Sequence, residues 1–213
     1  MSDRKSSQPL IDAVERLSKE GFSRIGFRRR EPGIFTVELA GEFLGSVGLN
    51  RAVGRGEGWL DVHPSVGVRY QPLERKLAEL QGVKWDSYAP ATIFSQLGYL
   101  MPQHRFLSWS FSIGTDPAPT VEDMIRAVET YGVPFMRSSA SLDAIIGRLS
   151  TFAYTTADSR SYRLPLTYFM SGDRVRAIAL VETELKKLGN QKDAGADFYR
   201  KFAENLRKIT QGE

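Results

Sequence analysis

Asp61 and His63 are the first residues whose types and spacing could do chemistry. They stand two apart in a run that alternates like a strand, so both side chains leave the same face. A carboxylate beside an imidazole can orient the ring as a general base or supply two metal ligands. The chain has only two histidines, and His104 lies far away in sequence. A metal site is therefore not expected, and an ordinary surface pair competes with the catalytic reading. Trp59 and Arg69 share the parity of Asp61 and His63. An exposed Trp with charged neighbours has the composition of a binding anchor with a polar rim.

The other motifs carry less. GRGEG at 54–58 suggests a phosphate loop, but a dinucleotide fingerprint needs a helix after the glycines, and a strand-like run follows here. Arg51 and Arg55 leave weak anion binding open on an otherwise ordinary hairpin loop. Gly45-Ser46-Val47-Gly48 lacks the Gly-x-Ser-x-Gly spacing of a nucleophile elbow. Arg28, Arg29 and Arg30 form the densest charge cluster. On a strand neighbouring arginines point to opposite faces, so all three form one flat patch only if the hairpin twists or ends there, and the sharper reading is a docking site for an acidic partner or phosphates. The competing reading is a solvated strand end that discourages edge pairing. No cofactor is called for.

Composition narrows the classes further. With no cysteine among 213 residues, a disulfide framework, a thiolate nucleophile and cysteine-ligated metals are excluded. The net charge of +4 is small for this length and the signs are interspersed, so charge alone does not argue for nucleic acid. The polar start MSDRKSSQPL has no apolar core of a secretory signal, and no run approaches the roughly 20 apolar residues of a membrane span. A cytoplasmic location is the expectation.

The elements that must position these residues can be read from periodicity. Leu10, Val14 and Leu17 predict a helix capped by Ser7 and stopped at Gly21. Strands follow around Ile25–Phe27, Phe35–Leu39, Phe43–Asn50 and Trp59–Tyr70, joined by hairpin turns at Glu31-Pro32-Gly33 and Gly41-Glu42. Pro64 argues for an edge position, a bulge or a break in the last of these. Pro72 opens a helix ended by Gly82, and residues 83–104 read as a packed irregular connection. Leu107, Trp109, Phe111 and Ile113 alternate with serines, which predicts a strand with its apolar side under helices. Thr120 is the expected cap of a helix stopping at Gly132. Helices are expected at Ser141–Leu149, Leu164–Met170, Arg174–Leu188 and Ala194–Ile209. Together these predict one α+β domain over 1–213. A mainly antiparallel sheet of four to five strands carries helices on one face and a C-terminal helical hairpin, with a possible flexible joint at 150–161.

GFSRIGFRRR, TIFSQLGYLMP before RFLSWSF, and the TYGVPFM link together resemble a group of uncharacterised bacterial α+β proteins. Some proteins with this look resemble immunity-type proteins that neutralise a toxin. The resemblance implies a small partner-binding protein and carries no catalytic residue with it. The first expectation is therefore a non-enzymatic protein-binding protein, of immunity type, using its uncovered sheet face or the 54–58 loop. The alternatives are a small enzyme with a polar site near Asp61 and His63, and a weak nucleic-acid binder through the arginine-rich hairpin.

Overall fold

The computed structural model describes residues 7–52, 58–151 and 156–212. The chain forms two compact units: Met1–Val68 with Phe94–Ser138, and Arg69–Ile93 with Ser139–Glu213. The class is α+β, with an antiparallel sheet and helices that continue to the C-terminal end.

In the first unit, helix α1 spans Gln8–Arg24. Its N-terminal residue Ser7 makes no side-chain cap, and the helix runs through Gly21 rather than stopping there. The reason is close packing. A Cβ on Gly21 would stand 2.0 Å from Ile125 Cδ1, so glycine here makes room for a crossing helix instead of ending its own. Gly21→Ala should lower stability by about 1–3 kcal/mol through overpacking, outweighing a helix-propensity gain of about 1 kcal/mol. A raised urea midpoint would show that Ile125 swings aside freely.

The strands are β1 (Arg28–Glu31), β2 (Ile34–Glu38), β3 (Phe43–Ala52), β4 (Trp59–Tyr70), β5 (Ile93–Gln96) and β6 (Trp109–Ser112). Their order is β1-β2-β3-β4-β5, with β6 also paired to β4. Gly33 and Gly41 sit at the two expected hairpin turns with φ of +74° and +64°. The first strand begins three residues later than Ile25–Phe27 implied. In place of the irregular connection expected over 83–104, Ile93–Gln96 forms a strand and Leu97–Tyr99 a 3-10 turn. Pro64 lies in a central strand, not at an edge. The ladder to β6 ends at Val62↔Trp109, two residues before it, and proline is tolerated where a partner strand has stopped.

Phe35, Val47, Leu60, Val62, Val66 and Phe111 form the buried side of this sheet. The covering helices are α1, α3 (Ala118–Ala127) and α4 (Val133–Ser138), packed on β1, β6 and β3 respectively. Thr120 caps nothing, because α3 already starts at Ala118 and Pro119 occupies its first turn. Gly132 does not stop the chain either. A π-helical turn, Val128–Gly132, carries α3 directly into α4, and Gly132 presses on Val66, whose Cγ1 would be 3.1 Å from an added Cβ.

The second unit is helical. It contains α2 (Gln71–Gln81), α5 (Leu142–Ser150), α6 (Ala157–Met170), α7 (Arg174–Leu188) and α8 (Ala194–Gln211). Ser141, Thr156, Asp173 and Asp193 each accept the backbone N–H three residues on, satisfying donors the helix cannot. Leu73, Leu77, Tyr162, Leu166, Phe202 and Leu206 centre its core. Pro165 inside α6 cannot donate to Ser161 O, and the Tyr199 hydroxyl reaches that carbonyl at 3.4 Å instead. Of the expected joint at 150–161, Ser150 ends α5, residues 157–161 begin α6, and 152–155 lie outside the described residues.

Candidate functional site

The outer face of the sheet in the first unit carries three of the expected residues, Trp59, Asp61 and His63. Register places Trp59 opposite Ser112 and Asp61 opposite Ser110, so these four share the face turned away from the valines. His63 falls beyond the end of β6. There Phe106, from the chain approaching that strand, stacks on the imidazole with ring centroids 4.7 Å apart. Four residues of strand put Trp59 and His63 about 13 Å apart. Trp59 is 41% exposed and Phe106 50%. Ile113, whose amide donates to Gly58 O at 2.9 Å, is 57% exposed beside the start of β4. Between the aromatic ends lies polar ground. The Ser110 hydroxyl donates to Asp61, Ser112 and Thr115 share a 3.1 Å hydrogen bond, and Asn50 Nδ2 donates to His63 O and Ser65 Oγ, both at 3.2 Å.

Two of the expected solvent-facing side chains are not in solvent. Asp61 is buried, held by Ser110 across the ladder. Arg69 is 2% exposed, and belongs with the second unit. There its guanidinium donates to Gln71 Oε1 at 3.0 Å and to the carbonyls of Asp86 and Pro90, with Glu74 3.8 Å away. Burial pushes its pKa below the usual arginine value, against the pull of Glu74 and Asp86. The Asp86 carboxyl is held below its ordinary range by the amides of Tyr88 and Ala89. Parity placed Arg69 toward solvent, but carbonyls 17 and 21 residues further on, with Gln71 and Glu74, draw it into the interior.

The Asp61–His63 pairing of the alternative, enzymatic reading is not seen at the ring's Nδ1. His63 Nδ1 is buried and meets no hydrogen-bond partner among the described residues, so no carboxylate orients the imidazole there. His104 sits in a turn with φ +45°, its Nδ1 2.7 Å from Tyr99 O. Among the described residues no group of three or more His, Asp or Glu stands together to hold a metal ion. No described helix is long and apolar enough to cross a membrane.

The arginines divide by face, as strand alternation requires. Arg28 and Arg30 flank a cleft of about 160 Å³ with Thr36 and Glu38 in its wall. Arg30 Nε donates to Thr36 Oγ1 at 2.9 Å, and Arg28 lies 4.0 Å from Glu38. Arg29 and Arg51 instead clamp Glu15 of α1, at 3.4 and 2.9 Å. Arg55 lies outside the described residues. The continuous basic stripe that nucleic acid would need is not assembled by these four.

Phe106 is the residue that sequence reasoning missed. It shares the parity of Ser108, Ser110 and Ser112 but lies before β6 begins at Trp109, where strand alternation does not place a side chain. Ile113 was misread for the same reason at the other end: β6 ends at Ser112, and parity says nothing past a strand's end. No protein-family model, curated protein or solved structure gives a significant match to the chain.

Proposed function

We propose that the chain is a non-enzymatic binding protein of the cytoplasm, gripping another protein through the Trp59–Phe106 face of its sheet. The observation that carries this reading is the exposure of two large aromatic rings, Trp59 on β4 and Phe106 stacked on His63 of the same strand, with the Ser110–Asp61 hydrogen bond between them. Aromatic anchors within a polar surround are where binding energy concentrates in protein interfaces. A partner held this way is bound stoichiometrically and not turned over, which is the behaviour of an immunity-type protein.

The test is a pull-down from the source cell with Trp59→Ala, Phe106→Ala and the double variant. Each single change should weaken capture of the partner at least tenfold, as expected for interface anchors, with thermal stability nearly unmoved. Retention of every partner by the double variant would sink the reading. So would its unfolding, which would make the two rings structural.

A further inference from the structure

In the second unit, α6 and α7 turn back on each other through Ser171–Asp173 and leave a trough between them. On α7 it is lined by Arg176, Ala179, Leu180, Thr183, Glu184 and Lys187, which fall on one side of the helix. On α6 the matching stripe is Ala157, Arg160, Leu164 and Tyr168. Two adjoining hollows of about 190 and 310 Å³ make up the trough and share Arg160, Leu164 and Leu180. Its floor is apolar at Leu164 and Leu180, and three cations, Arg160, Arg176 and Lys187, line it against one carboxylate, Glu184. From Arg176 to Lys187 is about 16 Å, three turns of helix.

We propose that this trough docks an amphipathic helix of about three turns from a partner protein, apolar toward the floor and acidic along its flanks. The length matches, and small Ala179 at mid-trough allows the helix axes to approach to the usual 8–10 Å or so. A drug-sized ligand needs a site that encloses most of its surface. Here Ala157, Arg176, Ala179, Thr183 and Lys187 all stand exposed, so the trough is open along its length and suits a rod. Charge selects an acidic rod. Arg176 pairs with Asp173 at 3.4 Å and lies 5.7 Å over the Tyr168 ring, and Lys187 pairs with Glu184 at 2.6 Å. Both cations are mostly exposed, and such pairs are worth little, so a carboxylate on the incoming helix can recruit them at small cost.

The probe is a stapled, fluorescent peptide of about fifteen residues, with leucines at helical spacing on one face and glutamates beside them. Its anisotropy is titrated with the full chain. Saturable micromolar binding is expected, at least tenfold weaker when the glutamates become lysines. Leu180→Glu and Ala179→Trp should each weaken it at least tenfold. Because Ala179 is exposed, the second variant blocks the trough without opening the core, and its melting curve should match the parent's. Trp59→Ala should leave the peptide's affinity unchanged, which separates this site from the sheet face. Absence of saturable binding, or equal binding of the lysine peptide, overturns the proposal. It is also overturned if palmitate displaces the peptide more effectively than unlabelled peptide does, or if sedimentation shows a dimer that Ala179→Trp dissolves.

Discussion

Glu74→Ala should destabilise the second unit by about 3–5 kcal/mol, the cost of removing one partner from a buried charge cluster. The Glu74 carboxylate accepts Arg163 Nε on one oxygen and Arg163 Nη2 on the other, both at 2.7 Å. Thr92 Oγ1 donates to it at 2.8 Å, and Arg69 stands 3.8 Å away. All four residues are buried. Alanine would leave Arg163 in a poorly solvated interior without its paired carboxylate, Arg69 with the pull of Asp86 alone, and Thr92 without its acceptor. The bidentate geometry also fixes α2 against α6, so packing is lost along with charge. Changing both members of the main pair, Glu74→Leu with Arg163→Met, removes the uncompensated charge and should cost far less than Glu74→Ala alone. Urea midpoints followed by helical circular dichroism decide the matter. If Glu74→Ala behaves like a surface substitution, within about 0.5 kcal/mol, the carboxylate is not the centre of this cluster.

This cluster marks the limit of what the sequence could show. Glu74 and Arg163 are 89 residues apart, and no local pattern announces that a glutamate in Pro-Leu-Glu-Arg-Lys will face inward. Elements set by short-range physics were legible. The alternation of Leu60, Val62, Val66 and Val68 identified the buried face of β4, and the termini of α7 and the αL stop at Gly82 follow from their own residues. Gly21 and Gly132 were misread because glycine has two uses. It ends helices by adopting positive φ, and it admits close neighbours inside them. Both of these serve the second use, facing Ile125 and Val66, and only the three-dimensional partner distinguishes the cases. The strand at Ile93–Gln96 was hidden for a related reason. Four residues are too few for alternation to stand out, and β4 supplies the pairing from distant sequence.

At the candidate site the same division holds. Parity put Trp59, Asp61, His63 and Arg69 on one side of a strand, and the ladder to β6 shows this for Trp59 and Asp61. What each side chain meets there was not contained in the parity. Ser110 covers Asp61, Phe106 covers His63, and Arg69 is drawn into the Glu74 cluster. Trp59 remains exposed on that strand, now with Phe106 and Ile113 exposed in the same unit. A surface assembled partly from residues outside the strand is legible only once the chain has returned to it.

Trp109→Ala should lower stability by about 3–5 kcal/mol, as large aromatic truncations in a core do. Trp109 is 7% exposed on the helix-covered side, opposite Val62 in the ladder and alternating with the half-buried serines of β6. Its indole Nε1 donates to Asp123 Oδ2 of α3 at 2.9 Å, so the residue ties sheet to helix by packing and by a charge-assisted bond. The two contributions can be separated. Trp109→Phe keeps most of the apolar volume and loses the donor, while the exposed Asp123 can turn to water. The bond to a charged acceptor is worth about 1.5–3 kcal/mol at most, so Phe should recover a substantial part of the loss seen with Ala. Urea unfolding at unchanged m-value reads both differences directly. A Trp109→Ala midpoint close to the parent's would mean the indole is not part of the core, and that the two faces of β6 have been assigned the wrong way round. Equal losses for Phe and Ala would instead place the whole effect in the bond to Asp123, leaving the ring's burial with no measurable share.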